Sequence, residues 1–187
     1  MPGAAPATLP VCPPLMYIME IIADSLSSHI GFGDLVYRFT VAAFLAALLG
    51  VNREWRNKPA GLRTHILVAV AACAFALLSL ELFLETTELH PDARSDPIRV
   101  IEAVVTGVAF LGAGVIIQSS GTVTGVTTGA SVWVAGAIGL SAGIGNVRIA
   151  LLCAGFGLLA LIVLGWIERM TITKRRRGKT NIDGDRD

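Results

Sequence analysis

Apolar residues in this chain gather into five runs, at 35–51, 65–84, 100–117, 126–144 and 147–167, with only short polar joints between them. A helix needs about 20 mostly apolar residues to cross a hydrocarbon core roughly 30 Å thick, and each run approaches that length. Charged residues make up 16% of the 187 and hydrophobic residues 53%, where an ordinary soluble domain carries roughly 25% charged residues. That balance excludes intrinsic disorder and argues against a water-soluble globule. An open sheet would leave unpaired edges in lipid, so the runs are expected to be helices. The fold class is therefore all-α, a polytopic membrane protein of about five transmembrane helices. Runs 100–117 and 126–144 are rich in Gly, Thr and Val, weak helix formers in water. In lipid that objection weakens, because the backbone must bond internally whatever its propensity. Gly145-Asn146 is a tight-turn signal that makes the last two helices antiparallel neighbours.

Three regions are expected: an N-terminal extension at 1–34, the membrane domain at 35–167 and a basic cytoplasmic tail at 168–187. Proline-rich 1–14 is expected to be unstructured, and with no Lys or Arg before Arg38 a secretory signal is not indicated. Leu15, Ile18, Met19, Ile22 and Leu26 recur at helical spacing, with Glu20 and Asp24 opposite, as in an amphipathic helix on the membrane surface.

Charge sets the expected orientation. Arg53, Arg56, Lys58 and Arg63 crowd the joint 52–64, and Arg169, Lys174, Arg175, Arg176, Arg177 and Lys179 crowd the tail. Basic residues stay on the cytoplasmic side of short loops. Both segments fall there if the chain crosses five times, N-terminus out and C-terminus in. The tail reads as a topology anchor near anionic lipid, so no nucleic-acid partner is expected.

Lipid offers helices no hydrophobic reason to associate, so small residues must bring backbones together. Gly121, Gly125 and Gly129 recur every four residues, as do Ala135, Gly139 and Gly143, while Gly107, Gly112 and Gly114 mark the third run. Cys12, Cys73 and Cys153 are far apart and show no zinc spacing. Gly139-Leu140-Ser141-Ala142-Gly143 matches the nucleophile elbow but lacks its strand–turn–helix context. No catalytic residues are expected.

Ionisable residues in spans are functional candidates by default. Arg38 and Glu81 lie near span ends, where snorkelling is expected, and His65 is expected at the cytoplasmic interface. Asp96, Arg99, Glu102 and Thr106 fall roughly on one helix face. Asp96 and Glu102 could attract a divalent cation such as magnesium, which takes oxygen ligands and keeps several waters. Alternatively, Arg99 and Glu102 form an ion pair that fixes the helix start. Thr127 and Thr128 open the fourth helix, where their hydroxyls either cap free amides, the favoured role, or line a cavity.

The stretch 50–65, running Asn52-Arg53-Glu54 to Ala60-Gly61-Leu62-Arg63-Thr64-His65, resembles the MgtC/SapB family of bacterial inner-membrane proteins. So do Asp96-Pro97-Ile98-Arg99, the block Thr106-Gly107 to Phe110-Leu111-Gly112-Ala113-Gly114-Val115-Ile116, and Gly125-Val126-Thr127-Thr128-Gly129. The blocks keep the family order across roughly 35–167. Two positions depart from it. Asn52 stands where the family usually has Glu, and Thr124 where it often has Arg.

The resemblance implies a five-helix inner-membrane protein linked to magnesium homeostasis and, in pathogens, to virulence. It also suggests a short form without the soluble C-terminal domain of some members. The family has been described both as magnesium transporters and as regulators that restrain the ATP synthase. Two functions are thus in play: a non-enzymatic regulator of another membrane complex, and a transporter or channel for a divalent cation, for which a homo-oligomer would supply the pore. Magnesium enters only as ligand or substrate; no other cofactor is expected.

Overall fold

The computed structural model describes residues 29–89, 96, 98–119 and 122–166. They form five α-helices and one short hairpin: α1 Phe32–Trp55, α2 Leu62–Leu89, α3 Ile98–Gly114, β1 Ile117–Ser119, β2 Thr122–Thr124, α4 Val126–Gly143 and α5 Val147–Leu159. A π-helical turn at Ala160–Leu164 continues α5. The expected surface helix at 15–26, Cys12, His90, Gly121 and the tail at 168–187 lie outside the described residues.

The all-helical expectation holds. Phe32–Trp55, Leu62–Glu88 and Val126–Gly143 are long and apolar enough to cross a membrane, and the apolar helix Val147–Val163 is shorter. The third run departs from expectation. Its helix stops at Gly114, and Ile117 then pairs antiparallel with Thr124, and Ser119 with Thr122. Glycines at 112 and 114 weaken the helix, and the β-branched residues that follow favour extended backbone. The chain returns into α4 through Gly125, whose φ of 86° is left-handed. A Cβ there would lie 2.1 Å from the Val115 carbonyl oxygen, so the turn requires glycine.

Helix α4 is the centre of the assembly: 61% of its span is buried, against 28% and 33% of the spans in α1 and α2. Small residues explain how. A Cβ on Gly139 would sit 2.1 Å from the Ala69 carbonyl oxygen, and one on Gly143 2.6 Å from that of Cys73, so α4 and α2 meet backbone to backbone. Gly112 and Gly129 do the same for α3 and α4, each facing the other's carbonyl. These contacts are the small-residue packing that lipid demands. Ala42, Ala46 and Leu49 of α1 and Ala150 and Ala154 of α5 complete the core around Val132, Ala135 and Ile138.

Polar groups finish the helix ends. Asn146 caps α5, its side chain accepting from Ile149 N–H at 3.3 Å, and Gly145 turns the chain at φ 91°. Arg38 and Glu81 do not simply snorkel. Arg38 pairs with Asp34 at 2.6 Å and donates to the Gly143 carbonyl at 2.8 Å, offsetting the negative end of α4. Glu81 accepts from the His29 and Ile30 backbone N–H groups, both at 3.1 Å. The unmet amides before α1 are stronger partners for a carboxylate than a distant interface.

Gly139→Ala is expected to destabilise the protein by about 1–3 kcal/mol, because the new methyl must displace backbone. Gly155→Ala, with nothing within 4 Å, is expected to be neutral or to add up to about 1 kcal/mol through helix propensity. Thermal unfolding of both variants in detergent checks the contrast.

Candidate functional site

At one end of the bundle, α1 hands over to α2 through a joint that is unusually well defined. The Asn57 N–H donates to the Glu54 carbonyl at 3.0 Å and the Lys58 N–H to the Arg53 carbonyl at 3.2 Å. With Asn57 at φ 51°, this is a Schellman ending, in which asparagine can replace the usual glycine. Glu54 then reaches forward and accepts from the Leu62 N–H at 3.0 Å, so one carboxylate caps the start of α2. Gly61 leaves room for it, since a Cβ there would overlap the Glu54 carboxylate. Gly50 lets the start of α2 lean on α1, its would-be Cβ lying 2.7 Å from Leu62 Cα.

This joint places Arg53 and His65 against the first turns of α4. Arg53, His65, Thr128 and Ser131 are the buried polar or charged residues among those described. The Arg53 Nη2 donates to Thr128 Oγ1. His65 has no exposed surface; its Nδ1 lies 2.7 Å from the Gly61 carbonyl oxygen and its Nε2 lies 3.1 Å from Ser131 Oγ. A carbonyl oxygen only accepts, so Nδ1 carries a hydrogen. The Ser131 hydroxyl also lies 2.8 Å from the Thr128 carbonyl oxygen. Its single proton therefore has two acceptors in reach when the imidazole is neutral.

The cluster contains a guanidinium and no carboxylate. The two ion pairs among the described residues, His29 with Glu88 and Arg38 with Asp34, do not include Arg53. Arg53 Nε and Asn52 Oδ1 are buried with no hydrogen-bond partner among the described residues.

The expected site residues divide accordingly. Arg53, Glu54, Gly61, Gly112, Gly125 and Thr128 gather at the joint or at the α3–α4 crossing beside it. Thr64 is half-buried, and Arg63 and Thr127 are exposed. Thr128 is not a cap. The N-cap of α4 is Gly125 with no side-chain bond, and the Thr128 hydroxyl is taken by Arg53. His65 is enclosed by protein, because α4 closes over the start of α2.

Asp96, Arg99 and Glu102 are exposed and lie toward the opposite end of α3. The Asp96 carboxylate accepts from Ile98 N–H at 3.0 Å, and no Arg99–Glu102 ion pair is present among the described residues. Gly107 and Gly114 have nothing within 4 Å of a would-be Cβ, so neither provides a close contact among the described residues. The described residues hold no group of three or more His, Cys, Asp or Glu that could bind a metal. Ser141, at the elbow-like motif, donates to Ala137 O in its own helix at 2.7 Å.

Sequence reasoning missed His65 and Ser131. The signal for Ser131 was its place three residues after Thr128 and four before Ala135, on the small-residue face of α4. Ser131→Ala is expected to cost about 1–3 kcal/mol by stranding the buried imidazole. Ser141→Ala is expected to stay within about 0.5 kcal/mol, since it loses only a bond inside one helix. Thermal unfolding in one detergent separates the two.

The family model of the MgtC family matches residues 39–170. Among curated proteins, the chain is 39% identical over 129 residues to Protein MgtC of Salmonella typhimurium, covering 69% of this chain and 52% of that one. It is 33% identical over 137 residues to Protein SapB of Bacillus subtilis, covering 73% of this chain and 59% of that one. It is 35% identical over 130 residues to a protein of Escherichia coli K12 provisionally named as the magnesium transporter YhiD, covering 70% of this chain and 60% of that one. The chain thus spans between 52% and 62% of the length of these relatives and of a Haemophilus influenzae relative. No solved structure matches. The matched region runs from α1 through the end of α5 and includes every residue of the buried cluster: the chain belongs to the MgtC family.

Proposed function

We propose that this chain is a non-enzymatic regulator in the bacterial inner membrane, tied to magnesium homeostasis, that acts on another membrane complex, with the ATP synthase as the foremost candidate. The helices would make five crossings, N-terminus out and C-terminus in. The joint 52–64 would then face the cytoplasm, as its basic residues favour. The fold is compatible with an odd number of crossings, since Arg56 of the joint reaches Gly165 beyond α5, its Nη1 lying 2.4 Å from a would-be Cβ there. The magnesium link rests on the names of relatives.

One observation favours regulation over transport: the buried polar cluster is cationic. A guanidinium held in a low-dielectric interior repels a divalent cation strongly, and magnesium calls for carboxylate and water oxygens. Arg53, Thr128, His65 and Ser131 instead read as a fastening between the joint and α4. Asn52, Glu54, Gly61, Arg63, Thr64 and Thr127 would then shape the surface offered to a partner. A second reading, transport of magnesium, is favoured by the naming of YhiD and by Asn52 Oδ1, which has no partner among the described residues and is an oxygen of the type magnesium accepts. In that case Asp96 and Glu102 would recruit the ion at the opposite mouth.

The expected result is that purified protein in liposomes carrying a magnesium-sensitive dye gives no flux above empty liposomes. Added to vesicles containing the ATP synthase, it is expected to lower ATP-driven proton pumping. Sustained magnesium uptake that Asp96→Asn and Glu102→Gln abolish would overturn regulation in favour of transport.

A further inference from the structure

A groove of about 450 Å³ runs between α2 and α3, lined by Val68 and Phe75 on one side and by Ala103, Gly107 and Leu111 on the other, with Arg99 at one end. Every one of these lining groups but Arg99 is apolar. Phe75 and Leu111 are more than half exposed, so the groove opens on the surface that faces lipid. Its volume lies within the range of small-molecule sites, about 300–1,000 Å³. The groove exists because α3 rests mainly on α4, at the Gly112–Gly129 crossing, and only loosely on α2. Gly107 holds it open, with nothing within 4 Å of a would-be Cβ.

We infer that this groove seats one acyl chain of an anionic phospholipid, with the lipid phosphate on the Arg99 guanidinium. Length supports this occupant. Arg99 and Leu111 are twelve residues apart on one helix, about 18 Å at 1.5 Å per residue. One leaflet of the hydrocarbon core is about 15 Å deep, so a single chain hanging from a headgroup at Arg99 fills the groove. Charge supports it as well. Arg99 forms no ion pair among the described residues, and the nearby Asp96 carboxylate is held by the Ile98 N–H. Guanidinium groups bind phosphate through paired, charge-assisted hydrogen bonds. Arg99 thus sits at headgroup depth and the apolar lining at acyl depth. The inference holds whichever way the chain is oriented and whether it regulates or transports.

The test is native mass spectrometry of the full chain in detergent, titrated with phosphatidylglycerol and, separately, with diacylglycerol, which lacks the phosphate. Wild type is expected to retain one phosphatidylglycerol in preference to diacylglycerol. A Cβ at Gly107 meets nothing within 4 Å, so Gly107→Leu projects its side chain into the groove, and it is expected to weaken phosphatidylglycerol binding about tenfold, a loss of about 1.4 kcal/mol. Ala103→Leu provides a second block should the first variant fold poorly. Arg99→Gln is expected to erase the preference over diacylglycerol. Gly155→Leu, at an open glycine on α5 outside the groove, is expected to bind as wild type does. Equal binding by the groove-filled variants and wild type would overturn the inference, as would an equal loss in Gly155→Leu or a preference that survives Arg99→Gln. Disulfide-linked dimers formed in the membrane by Ala103→Cys, with no retained lipid, would also overturn it by assigning the groove to a second copy.

Discussion

A guanidinium held out of water sets the terms for this structure. Burying a charge costs several kcal/mol unless hydrogen bonds and neighbouring dipoles compensate, and Arg53 has no carboxylate among the described residues to do so. Its described bond is to the Thr128 hydroxyl. That contact exists only because α4 comes close enough to α1 and α2 to close over it, and the close approach depends on Gly139 and Gly143 meeting the backbone of α2. Small residues bring the backbones together in a solvent that gives helices no other reason to associate. Once they meet, the space left between them is narrow enough to be filled by four polar side chains.

The same economy of contacts organises the joint at 52–64. A left-handed Asn57 ends α1, Glu54 starts α2, and Gly61 makes room for the Glu54 carboxylate. The Asn57 ending and the Glu54 carboxylate each satisfy backbone groups that lipid would leave unmet. The motif Asn-Arg-Glu to Ala-Gly-Leu-Arg-Thr therefore has a structural explanation of its own. Arg53 and His65 point inward to α4, and Glu54 ties the two helices. Trp55, Lys58 and Arg63 remain exposed.

Much of this was legible in the sequence, and the exceptions have physical causes. Apolar run lengths located the helices, and the spacing of Ala135, Gly139 and Gly143 located the closest contacts. Gly145-Asn146 gave the last turn. The hairpin at 117–124 was not legible, because β-branched residues beside glycine are compatible with a buried helix until Gly125 is seen to require a left-handed turn. The partners of Glu81 and His65 were not legible for a shared reason. Position along a helix says how far a side chain is from the interface, not which backbone another segment lays against it. Arg53 and Thr128 were legible as motif residues but not as a pair, since they are 75 positions apart.

The pairing of Arg53 with Thr128 is tested most directly by a double-mutant cycle, with Arg53→Met, Thr128→Val and the double variant unfolded under one set of detergent conditions. A hydrogen bond to a charged group contributes about 1.5–3 kcal/mol. The interaction energy is predicted to fall in that range, so that the double variant loses much less than the two single losses added together. Losses that simply add would contradict the account, because Arg53 would then not be bonded to α4 in the folded chain.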